Sequence, residues 1–147
     1  MTLKEQLNDA MKAAMKARDN LRLSAVRMAR AAITNREIET RTELDDRAVV
    51  DVISTLAKQR RESIRMYRDG NRDELAAKEE LELAVLLEFL PVQLNPDDID
   101  TLVRQVILNM EAHGPKDMGR VMKAVTPLTA GKADGKVVSD AVRRLLA

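Results

Sequence analysis

The chain has 147 residues, no cysteine, one histidine and two aromatic residues, Tyr67 and Phe89. That length supports one domain or two small ones without a covalent staple, and the absence of cysteine excludes disulfides, thiolate zinc sites and cysteine nucleophiles. The formal net charge is only +1 but unevenly placed: residues 58–72 carry net +4 and residues 73–100 net −8, an asymmetry that would let the molecule orient on a polyanion.

Alanine, leucine, glutamate, lysine and arginine dominate, so the composition points to helix throughout. A first helix is predicted from Leu3 to Ala17, opened by a Thr2/Glu5 capping box, with Leu3, Leu7, Ala10, Met11, Ala14 and Met15 on its apolar face. A second runs from Leu21 to Arg41, with Leu21, Ala25, Met28 and Ala32 on one stripe and Arg27 and Arg30 turned away. Asp45 or Asp46 caps a third, which reaches Asp69 with Ile53, Ala57, Ile64 and Tyr67 on an inward seam. Arg60 falls on that same seam. A guanidinium there needs a carboxylate, and Glu79 or Glu82 on the next helix are the expected partners. Lys58, Arg61, Arg65 and Arg68 form a second stripe of the same helix, either a solvated face or a partner-binding one.

Gly70 and Asn71 end that helix and cap the next, with Asn71 and Glu74 suggesting a capping box for the fourth. The fourth helix turns apolar on nearly every side between Leu81 and Leu90, which predicts a central position. Pro91 stops it. The expected organisation is an N-terminal domain of about four helices over 1–90, a proline-containing linker over 91–96, and a three-helix C-terminal domain over 97–147. Asn95 caps the fifth helix, with Pro96 in its first position, and His113-Gly114-Pro115 ends it, which gives His113 no catalytic role. The sixth is expected over Asp117 to Val125, before Pro127, and the seventh starts near Asp134. The eight methionines give a soft core or a soft contact surface, the core being the expectation. The fold class is all-α.

Two segments of the last fifty residues stand apart. Lys116-Asp117-Met118-Gly119-Arg120-Val121-Met122 and Gly131-Lys132-Ala133-Asp134-Gly135-Lys136 place glycine beside cations at helix starts, where free N–H groups and the helix dipole favour an anion. They read either as ordinary caps or as phosphate contacts through Lys116, Arg120, Lys123, Lys132 and Lys136. Asp117 and Asp134 would take some of those N–H groups as caps. No nucleophile–base pair, metal-ligand set or NTP-binding loop is present, so no catalytic, cofactor-binding or metal residue is assigned, and no standalone enzyme activity is expected. The N-terminus lacks the apolar core of a signal peptide and the longest apolar run, Leu83 to Leu87, is too short for a bilayer; the chain reads as soluble, cytoplasmic and without a membrane partner.

Lys58-Gln59-Arg60-Arg61-Glu62-Ser63, Phe89-Leu90-Pro91-Val92-Gln93-Leu94, Asp117-Met118-Gly119-Arg120-Val121-Met122 and Gly131-Lys132-Ala133-Asp134-Gly135, in that order, resemble the YqeY family over essentially the whole chain. The second half also resembles the tail of the GatB subunit of glutamine-dependent tRNA amidotransferases. The resemblance implies two helical domains and a link to tRNA; in the amidotransferase the tail helps recognise the tRNA while the chemistry takes place elsewhere. It implies an RNA-binding accessory module for tRNA or other structured RNA, with an amidotransferase or another translation-associated protein as a further partner. Lys58, Arg61 and Arg65 join the contact set if the RNA spans both domains. Two aromatic residues leave little for base stacking, so backbone and shape readout is expected. The alternatives are a carbon–nitrogen ligase component, with glutamine as amide donor, active only with other subunits, and a helical protein–protein adaptor.

Overall fold

The computed structural model describes residues 1–147 and is all-α. Its seven α-helices are α1 (Leu3–Ala17), α2 (Asn20–Thr40), α3 (Asp46–Asp69), α4 (Asp73–Leu87), α5 (Pro96–Met110), α6 (Met118–Thr129) and α7 (Gly135–Leu146), with a 3-10 turn, Pro115–Asp117, ahead of α6. No helix is long and apolar enough to cross a membrane. The chain divides into two compact units, Met1–Pro91 and Val92–Ala147.

In the first unit, local chemistry sets the helix ends. Thr2 accepts from the Glu5 N–H and Glu5 from the Thr2 N–H, closing a capping box at α1. Arg18 takes a left-handed conformation (φ 57°), and Asp19 then caps α2 by accepting from the Arg22 N–H, so two residues reverse the chain. Asp46, at the start of α3, accepts from the Leu3 N–H at 3.0 Å and ties two helix starts together.

The α3–α4 turn differs from the sequence expectation. Gly70 has an ordinary φ of −87°, and Asn71 instead takes the left-handed position (φ 58°). The Arg72 N–H reaches the Tyr67 carbonyl and the Asn71 N–H the Arg68 carbonyl, a Schellman closure. Asn71 therefore ends α3, and its left-handed backbone is incompatible with capping α4, which has no side-chain cap. The expected Asn71/Glu74 box does not form.

The core of this unit joins Leu7, Val26, Ala29, Ile33, Val49, Ile53, Leu86 and Phe89. On α2 the buried sector is centred on Val26, Ala29 and Ile33, because α1 and α4 both pack on this helix and widen the covered arc. The expected Met28 is therefore at the margin, 39% exposed, and Arg30 is half-buried, donating to the Met11 sulfur at 2.8 Å, instead of pointing away. On α4, Leu81 is 57% exposed, so that helix is covered by α2 and α3 without being wrapped on all sides. The methionines also lie outside the deepest core: Met1, Met15, Met28 and Met66 are exposed, and Met11, Met110, Met118 and Met122 sit at core edges. Their flexible thioethers fill margins between helices of unequal spacing.

Arg60 points inward between α3 and α4. Its Nε lies 3.2 Å from a Glu79 oxygen and 3.1 Å from a Glu82 oxygen, and the three side chains are only 13, 20 and 10% exposed. The Arg60 Nε and the Glu79 Oε2 make no aligned hydrogen bond, so attraction at this point is largely coulombic; the guanidinium also contacts the Met28 sulfur on α2. Further along, Arg68 pairs with Glu80 and lies 3.9 Å from Asp73. Part of the charge asymmetry read from the sequence is thus met within the molecule, Arg60 and Arg68 of α3 against α4 carboxylates.

The second unit is built on Ile99, Val103, Val121, Val125, Val138, Val142 and Leu146. Asn95 and Asp98 form a capping box at α5 with Pro96 in the first turn. Gln93 and Leu94 bind the α6–α7 connection: the Gln93 amide donates to the Gly131 carbonyl at 2.7 Å and the Leu94 N–H to the Lys132 carbonyl at 2.8 Å. Helix α6 runs past the expected stop at Val125 and includes Pro127 in its last turn. Proline there removes only the N–H that would reach the Lys123 carbonyl, and the packing of Val125 and Thr129 holds the turn helical.

Arg60→Ala leaves Glu82 buried without its cation and should destabilise the first unit by roughly 3–5 kcal/mol, measured by chemical denaturation. A change within about 0.5 kcal/mol would show that Arg60 is not a structural pair.

Candidate functional site

The α6 segment begins where α5 ends. Glu111 takes a left-handed turn (φ 52°), and Gly114, at φ 71°, allows the chain to enter the Pro115–Asp117 turn. In that turn the Asp117 N–H donates to the Gly114 carbonyl and the Met118 N–H to the Pro115 carbonyl. The start of α6 is therefore partly satisfied by its own backbone. Asp117 does not cap α6 as the sequence suggests. Its carboxylate turns back to accept from the His113 N–H at 2.7 Å and lies 3.4 Å from the Arg120 guanidinium. The short 3-10 turn places that side chain over the loop, away from the α6 N–H groups.

At α7 the expectation holds locally: Asp134 caps by accepting from the Lys136 N–H at 3.2 Å. The connection contains Gly131 at φ 74°, a conformation that favours glycine, and Lys132, whose carbonyl is held by Leu94.

Lys116, Arg120, Lys123, Lys132 and Lys136 are all exposed. Arg120 pairs with Asp117, whereas the ammonium groups of the four lysines form no ion pair. They do not converge on one pocket. Lys116 and Arg120 lie at the start of α6, Lys123 about two turns along, and Lys132 and Lys136 beyond its far end. A helix of this length separates the two groups by about 18 Å. A single phosphate cannot bridge such a row, but an extended chain of phosphates can.

Helix α7 packs on both α6 and the 3-10 turn, and its first residue follows the end of α6 after a short loop, so it runs back along α6. Its last turn, with Arg143 and Arg144, thus comes back to the Lys116 end. Neither arginine was singled out in the sequence, where they look like basic residues completing a helix C-terminus. Arg144 is held 2.6 Å from Asp100 on α5, and Arg143 3.1 Å from Asp140 one turn earlier.

The cationic stripe of α3 is less available than its spacing suggests. Lys58 is exposed, Arg61 and Arg65 are half-buried, Arg65 is already partnered, and Arg68 is paired with Glu80. For Arg68 the cause is the packing of α3 on α4, which brings its guanidinium to the Glu80 carboxylate.

Three carboxyls are held below their ordinary range. Asp117 is lowered by the His113 N–H, then by the charge of Arg120; Asp100 by the hydrogen bond from Arg144; Glu37 by hydrogen bonds from Lys4 and the Leu44 N–H. A carboxyl whose folded value lies below its unfolded one binds fewer protons folded, so its stabilisation is present above the ordinary value and fades as pH falls through the folded one. The melting temperature should stay level down to about pH 5 and drop below it. Asp117→Asn should lower stability at neutral pH and make the acid drop shallower, as read from melts between neutral and acid pH. An unchanged acid profile would remove Asp117 from this account.

A profile described as Yqey-like protein matches residues 4–146. Among curated relatives, the Altered inheritance of mitochondria protein 41, mitochondrial, of Vanderwaltozyma polyspora is 35% identical over 124 residues, covering 81% of this chain and 66% of that protein. The protein of the same name from Kluyveromyces lactis is 32% identical, covering 74% and 60%, and that from Saccharomyces cerevisiae strain YJM789 is 33% identical, covering 69% and 56%. The chain therefore spans just over half to about two thirds of the length of these relatives. Their names overturn the cytoplasmic reading: these relatives are named as mitochondrial proteins, and neither cysteine content nor the lack of a long apolar helix specifies a compartment. With the match running almost from end to end, this chain belongs to the Yqey-like protein family.

Proposed function

We propose that this chain is a non-catalytic accessory module that binds tRNA or another structured RNA through its second unit. The observation that carries the reading is the row of four exposed, unpaired lysines, Lys116, Lys123, Lys132 and Lys136, along and beyond α6. An extended row suits a phosphate backbone; at about 3.4 Å of axis per phosphate on one strand, about 18 Å spans roughly five phosphates. With one tyrosine and one phenylalanine in the chain, the latter buried, the row would read backbone and shape instead of stacking on bases. A protein-adaptor role is the second reading, favoured by Met66 and Leu81, which are 74 and 57% exposed on α3 and α4.

If about four phosphates are engaged, affinity for tRNA should fall roughly 50- to 150-fold between 50 and 200 mM salt. Replacing Lys132 and Lys136 together by alanine should flatten the log–log slope by about two units with helicity intact. Absence of binding at low salt, or indifference to this double change, favours the adaptor reading.

Gly119 offers a second test. A Cβ there would meet nothing within 4 Å, so packing gives no reason for glycine on this exposed helical turn. Gly119→Ala should stabilise the second unit by about 0.5–1 kcal/mol. If RNA backbone approaches closely at this turn, the same change weakens tRNA binding, a split visible by comparing melts with binding isotherms. Tighter or equal binding would exclude close approach at Gly119.

A further inference from the structure

We propose that the RNA surface does not end with α6 but continues onto the last turn of α7, with Arg143 as an additional phosphate contact beside Lys116 and Arg120; this rests on the RNA-binding reading above. Sequence separates Arg143 from Lys116 by about half of the second unit. The fold reunites them, because α7 returns along α6 and packs on the 3-10 turn that carries Lys116. Arg143 remains 65% exposed, and its carboxylate partner, Asp140, is itself 56% exposed. An i,i+3 pair so open to solvent holds its arginine only weakly and yields it to a dense polyanion. Arg144 behaves differently: its partner Asp100 is 20% exposed and binds it at 2.6 Å, which reserves Arg144 for joining α5 to α7. Asp117 also faces this end and is committed to the His113 N–H and to Arg120. The arrangement makes the start of α6 a two-sided contact, with Lys116 and Arg120 from one segment and Arg143 from another. Such a pair of sides fits phosphates of a folded RNA better than a lone anion.

The test is a salt titration of unfractionated tRNA binding to the full chain, comparing wild type with Arg143→Gln and with Lys16→Ala, an exposed cation of α1 in the other unit. Losing one phosphate contact should flatten the slope by about 0.7–0.9 and weaken binding about tenfold at 50 mM salt, shrinking to about fourfold at 200 mM. Lys16→Ala should leave both unchanged. If wild type binds with the expected salt slope but Arg143→Gln, folded by circular dichroism, behaves like Lys16→Ala, the α7 contact is wrong and the α6 reading stands. Wild-type protein that fails to bind at low salt overturns both.

Discussion

The first unit depends on a guanidinium that has nowhere else to go. Arg60 sits one turn from the fully buried Ala57, so helix geometry carries it inward whether or not a charge is welcome there. Burying it alone would be prohibitive, and α4 supplies Glu79 and Glu82 within about one turn of each other. This sets the register of α4 against α3, since sliding either helix by a turn would leave a buried carboxylate facing apolar side chains. The contact with Met28 brings α2 to the same point.

Charge is used differently in the two units. In Met1–Pro91, Arg60 and Arg68 of α3 meet carboxylates of α4 across the helix pair. In Val92–Ala147, three of the four arginines, Arg120, Arg143 and Arg144, have carboxylate partners, while the four lysines, Lys116, Lys123, Lys132 and Lys136, have none. Arginine's planar fork suits fixed pairing, and lysine's compact, hydrated charge suits a mobile counter-ion. An attraction built mainly on lysines is salt-sensitive and tolerant of sequence, as expected of backbone readout.

Family membership and chemistry answer separate questions. The match over residues 4–146 establishes kinship, and the relatives' names attach to mitochondria, but neither assigns a ligand. The functional reading comes from the surface: which cations are exposed, which are already engaged, and how far apart α6 holds them.

The helices and most of their ends were legible in the amino-acid order, because capping boxes at Thr2/Glu5 and Asn95/Asp98 and the run of apolar periodicity are local signals. So was the need of Arg60 for an acidic partner, which follows from burial and desolvation alone. Tertiary structure decided the rest. Asn71 took the left-handed position that closes α3, so it could not cap α4, and Pro127 stayed inside α6 because packing outweighed one missing hydrogen bond. The cations of the second unit were visible as residue types, but not as a row with two ends, and the packing of α7 on the 3-10 turn that carries Lys116 was invisible. Proximity between residues far apart in sequence comes from the return of α7 along α6, and no local pattern encodes that distance.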